Sequence, residues 1–187
     1  NVTVVGSAFD GDDDSEGVLL RHGTQARLHN FFITGPAGMG ECLEMDNDDT
    51  VQGNLSNGNI TISNSVIACD TPFQFADTDV DLNDWFTTDQ TGNDLIAFAD
   101  RANLGLNSDG TLTAESALRT SGGNPAGLDA FFDTNTFVGA IGDTDWRQGW
   151  AFGFGGGEVT TSSAASCPQG TTSIPSIDGA TNTCQIT

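Results

Sequence analysis

Three clusters of acidic side chains carry the residue types and spacings best suited to chemistry. The first comprises Asp10, Asp12, Asp14 and Glu16, the second Glu44, Asp46, Asp48 and Asp49, and the third Asp77, Asp79, Asp81 and Asp84. Alternating carboxylates in a turn can wrap a hard cation, because calcium prefers oxygen ligands. An EF-hand is excluded, since Ser15 and Arg21 stand where that loop needs Gly and Glu. The first cluster therefore predicts a generic calcium loop, with a solvated acidic surface as the alternative.

The second cluster is also a candidate for catalysis on polysaccharide. A glycoside hydrolase needs paired carboxylates, for which Glu44, Asp46 and Asp48 are the candidates. A lyase needs a base, and Arg21 would have to serve with His22 beside it. Strand alternation places these two on opposite faces, and an acidic face repels an anionic polymer. We therefore predict no catalytic residues and keep Arg21 and the three carboxylates for the enzyme alternative.

Two pairs of aromatic residues are candidates for stacking on sugars. Trp85 and Phe86 lie in a polar stretch near Asp81 and Asp84, which favours Trp85 as the ligand-binding residue. Trp146 and Trp150 are predicted instead to pack on the flank of the fold.

Charge excludes several classes of partner. The chain has 187 residues with 26 acidic and 5 basic side chains, a net charge of −21, and neither Lys nor Tyr. A nucleic-acid binder needs cationic side chains to neutralise phosphates, and an anionic membrane would repel this chain. No apolar run approaches the roughly 18 residues of a membrane helix. We therefore predict a protein with no nucleic-acid partner and no membrane insertion.

The four cysteines indicate whether the protein belongs to an oxidising or a reducing compartment. They are Cys42, Cys69, Cys167 and Cys184. An even count in an acidic, Thr-rich chain is typical of disulfides in an extracellular or periplasmic protein. Three pairings are possible, and we favour the local pairs Cys42–Cys69 and Cys167–Cys184. Four buried free thiols are the alternative.

An internal repeat gives the main prediction of fold. Asn1–Gly6, Asn30–Gly35 and Asn64–Cys69 align without gaps, each an Asn followed by a short apolar run, at offsets of 29 and 34 residues. Such offsets suit a solenoid in which stacked Asn side chains form a ladder. The prediction is an all-β, right-handed parallel β-helix with long loops, a short helix in 93–102 and a small disulfide-closed carboxyl-terminal segment. Chance similarity of Asn-rich turns in a β-sandwich is the alternative.

A resemblance rests on residues 16–24, 28–35 and 42–46 together with the closing segments 127–133, 137–140 and 145–150. These stretches resemble the late coils of largely uncharacterised bacterial surface proteins with a pectate-lyase-like right-handed parallel β-helix. The resemblance covers about residues 1–152. It implies the fold more firmly than any activity, because β-helices host unrelated functions.

Organisation and function follow from these patterns. We predict β-helix coils and a closing segment over 1–152, a Gly/Ser/Thr linker over 153–166 and a disulfide-closed segment over 167–187. An uncovered first coil suggests the carboxyl-terminal part of a longer chain, a covering segment, or self-association by end-to-end stacking. The expected function is that of an extracellular or cell-surface structural or adhesive protein stabilised by calcium. The alternative is a polysaccharide lyase, a glycoside hydrolase or a carbohydrate-binding module with a glycan partner.

Overall fold

The computed structural model describes residues 1–7, 16–46, 49–75, 80–147, 171–175 and 182–186. The chain divides into two compact units, Asn1–Trp146 and Arg147–Thr187. In chain order the strands are β1 (Val2–Val5), β2 (Val18–Leu20), β3 (Ala26–His29), β4 (Phe31–Thr34), β5 (Glu41–Met45), β6 (Ile60–Ser63), β7 (Val66–Ala68), β8 (Thr71–Phe75), β9 (Asp94–Leu95), β10 (Thr171–Pro175) and β11 (Asn182–Ile186).

The strands of the first unit pair only in parallel within the described residues. Their orders are β1-β4-β7-β9, β2-β5-β8 and β3-β6. Val2 pairs with Phe31, and Phe32 pairs with Val66. This is the register that the gap-free alignment of the Asn-led segments predicts. Each strand therefore lies beside its counterpart from the next repeat rather than beside its neighbour in sequence.

Helical turns occupy much of the chain between strands. They are α1 (Asp49–Ser56), α2 (Leu82–Asp84), a π-helical turn (Trp85–Asp89) and 3₁₀ turns at Phe98–Leu104, Ala117–Arg119 and Pro125–Gly127. In α1 the apolar residues Val51 and Leu55 are four apart and both are buried, as expected of one helix face. No helix within the described ranges is long and apolar enough to cross a membrane.

The predicted all-β, right-handed parallel β-helix is wrong. The described part of the first unit forms three separate small parallel sheets combined with several helical elements. The second unit contributes an antiparallel pair, β10 with β11, in which Thr171 faces Ile186. The spacing of the repeats predicted which strands pair. It did not predict the helical segments between the strands, because those depend on the local spacing of apolar residues.

The helix predicted over 93–102 also needs correction. Backbone N–H groups of Asp94 and Ile96 donate to the carbonyls of Ser65 and Ile67 over 2.9 Å each. These bonds extend the first sheet as β9, and a 3₁₀ helix begins only at Phe98. Pairing with an existing strand satisfies the backbone groups that a helix would otherwise have used.

A disulfide crosses the core of the first unit. Cys42 in β5 is bonded to Cys69, which follows β7, with their Cα atoms 5.9 Å apart. The first predicted local pair is thereby confirmed. For the second predicted pair, Cys167 and the side chain of Cys184 lie outside the described residues.

Candidate functional site

Three glutamates converge on the three-stranded sheet β2-β5-β8. Glu16 lies two residues before β2, and Glu41 and Glu44 belong to β5. One carboxylate oxygen of each lies within 4.8 Å of those of the other two. We call these residues the glutamate triad. The triad could hold a metal ion through three oxygen ligands.

Gly17 brings Glu16 to this sheet. Its N–H donates to the carbonyl of Glu41 over 2.8 Å. A Cβ atom at this position would lie 2.6 Å from the carbonyl oxygen of Cys42. Only glycine therefore allows the chain before β2 to approach β5 this closely, and that approach places the Glu16 side chain beside the other two carboxylates.

Within the triad, Glu44 has a raised pKa. Its pKa is raised from 4.5 to about 7, first by burial and then by the hydrogen bond with Glu16. Repulsion from Glu16, Glu41 and Asp46 adds to the increase. A carboxyl group in this position holds its proton up to near-neutral pH unless another positive charge replaces it.

Glu41 has a buried carboxylate oxygen without a hydrogen-bond partner in the described part of the chain, which is an independent indication of a cation site. Only 8% of this residue is exposed, and its Oε2 atom is buried without a hydrogen-bond partner among the described residues. A buried carboxylate oxygen without a partner costs free energy, because it has lost its water and gained nothing in return. A cation that bound Oε2 together with the carboxylates of Glu16 and Glu44 would supply that partner.

Only some of the site residues predicted from the sequence belong to this triad. Glu16 and Glu44 belong to it, whereas Asp10, Asp12, Asp14 and Asp48 lie outside the described residues. Asp46 and Arg21 approach to 4.0 Å, with 37% and 51% of their side chains exposed. An ion pair this exposed contributes little to stability. Arg21 therefore lies next to Asp46, one of the carboxylates kept for the enzyme alternative.

The third acidic cluster has a different role where it is described. Asp81 Oδ1 accepts a hydrogen bond of 3.1 Å from the N–H of Asp84, and Asp81 is the N-cap of α2. Asp is favoured at this position because its oxygen satisfies a backbone donor that the helix leaves unpaired. Two of the carboxylates in this cluster thus belong to a helix start.

Trp85, the predicted ligand-binding residue, lies in the core. Only 5% of it is exposed, and it packs in the main apolar cluster with Phe86 and Leu82. Its ring is not placed to stack on a sugar in solvent. Trp146 is 52% exposed, contrary to the predicted packing on a flank, and Trp150 lies outside the described residues.

Sequence reasoning missed Glu41. This residue stands outside the Asp-rich clusters, and alternation along a strand would place it on the face opposite Glu44. Glu41 lies beside Glu16 because β2 pairs with β5, and that pairing was not predicted from the sequence.

The chain matches no family model, no curated protein and no solved structure. A function must therefore be inferred from the chemistry of the triad. Within the triad the donor set is oxygen alone, which suits a hard cation such as calcium better than zinc or copper.

Proposed function

We propose that this chain is a structural or adhesive protein of the extracellular space or cell surface, and that calcium stabilises it by binding Glu16, Glu41 and Glu44. The observation that carries the proposal is that Glu41, one of three carboxylates with an oxygen atom within 4.8 Å of the others, also has a buried oxygen without a hydrogen-bond partner among the described residues. The Cys42–Cys69 disulfide and the net charge of −21 support an oxidising, ion-rich setting.

Electrostatics favour a cation at this place. Two like charges 4 to 5 Å apart repel by roughly 3–4 kcal/mol at an effective dielectric constant near 20. Three ionised carboxylates within 4.8 Å would therefore oppose folding unless a proton or a cation offset the repulsion. Calcium offsets two charges at once and accepts irregular oxygen geometry, whereas magnesium demands a near-octahedral shell and gives up its water reluctantly.

A structural role agrees with where the triad lies. Glu16 leads into β2, while Glu41 and Glu44 belong to its neighbour β5. A cation bound by all three would join the chain before β2 to the central strand of the sheet. The disulfide ties the same central strand to Cys69. Both cross-links thus act on β5.

Thermal unfolding with and without calcium tests this proposal. At a calcium concentration about a hundredfold above the dissociation constant, binding to the folded state raises the melting temperature by about 5–10 °C. Glu41→Gln keeps the shape of the side chain but removes the charge, and it should abolish the increase. Glu115→Gln is the matched control, because Glu115 is exposed and lies outside the triad. Magnesium should give a smaller increase than calcium.

An unchanged melting temperature on adding calcium to chelator-treated protein would contradict the cation site. A calcium response of equal size in Glu41→Gln would place the ion elsewhere and would also contradict it.

A second candidate function is polysaccharide hydrolysis. It is favoured by the closeness of Glu44 to Glu16, since retaining glycosidases hold two carboxyl groups about 5 Å apart. Asp46 follows β5 directly and lies 4.0 Å from Arg21, which follows β2. The test is release of reducing sugar from a polysaccharide panel by the wild type and by Glu44→Gln and Glu16→Gln. Release that both variants abolish, with the fold intact, would favour the enzyme over the structural protein.

A further inference from the structure

A second site lies apart from the glutamate triad, in the first unit. A cavity of about 450 Å³ opens between the 3₁₀ turn Ala117–Arg119 and the segment 134–146. This volume falls within the range of roughly 300–1,000 Å³ that is usual for small-molecule sites. The residues that matter for the argument are Arg119, Asn135, Thr136, Asp143, Thr144 and Trp146.

Trp146 gives the cavity an apolar surface at its edge. The ring Nε1–H donates to the carbonyl of Ala140 over 2.8 Å, which fixes the ring and uses its donor. The residue is 52% exposed, and its exposed surface is largely the carbon atoms of the indole ring. An aromatic face carries partial negative charge, so it attracts the weakly positive C–H groups on the flat side of a sugar ring.

The walls of the cavity are tied to the rest of the first unit. The backbone carbonyl of Thr136 accepts a hydrogen bond from the N–H of Gly122 over 2.9 Å, and Asn135 Oδ1 accepts one from Asn30 Nδ2 over 3.5 Å. The N–H of Val138 donates to the carbonyl of Leu118 over 2.8 Å. A site held by such bonds loses little conformational entropy when a ligand enters.

The polar lining is close to neutral. Arg119 and Asp143 both line the cavity and form an ion pair in which the Asp143 side chain is 91% exposed, so their charges offset one another. The remaining polar lining consists of Thr hydroxyl groups and the Asn135 amide, which donate and accept hydrogen bonds without charge. The whole chain carries −21, which opposes the approach of an anionic ligand.

From this combination we infer that the cavity binds a neutral carbohydrate, with one sugar ring stacked on Trp146 and its hydroxyl groups bonded to Asn135 and Thr144. The inference does not depend on the cation site, because the two sites share no residue. An adhesive protein would gain from it a means of holding a glycan surface.

Affinity electrophoresis of the full chain tests the inference. The gels contain dextran, mannan, amylose or galactan as neutral probes, and polygalacturonate or alginate as anionic ones. At least one neutral probe should retard the wild type, and the anionic probes should not. Trp146→Ala should weaken that retardation by about tenfold, in line with the loss of an aromatic contact. Phe131→Ala is the matched control, because Phe131 is 87% exposed and aromatic but does not line the cavity.

Thr144→Ala covers the case in which Trp146→Ala fails to fold. Thr144 is exposed, so its loss should leave the melting temperature unchanged while reducing retardation a few-fold. The inference is overturned if no neutral probe retards the wild type, if an anionic probe binds more tightly, or if Phe131→Ala loses as much affinity as Trp146→Ala. It is also overturned if folded Thr144→Ala and Trp146→Ala both bind like the wild type.

Discussion

The side chain of Asn30 and the backbone of Gly123 exchange two hydrogen bonds across 93 residues of sequence. Asn30 Nδ2 donates to the Gly123 carbonyl over 2.8 Å, and the Gly123 N–H donates to Asn30 Oδ1 over 2.8 Å. The same Nδ2 atom also lies 3.2 Å from Asn1 Oδ1. Asn30 thus joins the first repeat and the later loops to the start of β4.

Asn30→Ala should destabilise the protein by about 2–4 kcal/mol, because it removes buried hydrogen bonds and because alanine tolerates a left-handed backbone less well than asparagine does. Asn30 is fully buried and has a φ of 57°. Asn30→Gly should be milder by about 1 kcal/mol, since glycine adopts positive φ without that cost. Urea unfolding of both variants measures the difference. Equal stabilities for the two variants would remove the backbone part of this explanation.

Loss of the disulfide should lower the free energy of unfolding by about 3–4 kcal/mol. The bond between Cys42 and Cys69 closes a loop with a sequence separation of 27 residues, and a cross-link over such a loop restricts the unfolded chain by about that amount. The double variant Cys42→Ala with Cys69→Ala is compared with the wild type by urea unfolding. Wild-type protein unfolded in a reducing agent should match the double variant. If reduction left the midpoint unchanged, the bond would have no role in stability.

Gly17→Ala should weaken both the fold and calcium binding. The added methyl group would meet the carbonyl oxygen of Cys42 at 2.6 Å, which forces the chain before β2 away from β5 and takes Glu16 with it. Gly53→Ala is the matched control, because Gly53 lies in α1 and its added methyl group meets nothing within 4 Å. The control should gain up to about 1 kcal/mol from helix propensity. Calorimetric titration with calcium and thermal unfolding measure both effects, and a Gly17→Ala variant that binds calcium like the wild type would contradict the geometry.

The pKa of Glu44 predicts how the stability of the metal-free protein depends on pH. The pKa in the folded protein is about 7, above the ordinary 4.5, so folding raises the affinity of this group for a proton. Its contribution to stability is complete below about pH 4.5 and is lost as the pH rises through about 7. In a chelator, Glu44→Gln should therefore gain stability relative to the wild type over this interval. Glu115→Gln should follow the wild type at every pH, and parallel curves for all three proteins would show that the pKa of Glu44 is not raised.

The sequence predicted strand pairing better than it predicted the fold. The Asn-led repeat identified β1, β4 and β7 and their register, because a repeated turn residue and an apolar run recur together. It did not reveal the helical turns such as Trp85–Asp89, which depend on local backbone bonding and on the burial of Trp85 and Phe86. Burial by tertiary packing also explains why Trp85 is not an exposed ligand-binding residue, although its polar neighbours suggested one.

The candidate site was half visible in the sequence. Glu16 and Glu44 belong to acidic clusters, so composition alone drew attention to them. Glu41 has no acidic neighbour within two positions, and its importance comes from burial beside Glu16 across a strand pair. The pattern of charge along the chain does not predict contacts between residues that are distant in sequence.

The central claim is that the glutamate triad holds calcium, and a crystal structure of the protein grown with calcium tests it most directly. Anomalous difference density locates the ion without reference to the surrounding atoms. We predict a peak between the carboxylates of Glu16, Glu41 and Glu44, with oxygen atoms about 2.3–2.6 Å away. An ordered triad with no such peak, and with Glu41 Oε2 bonded to water or to protein instead, would contradict the claim.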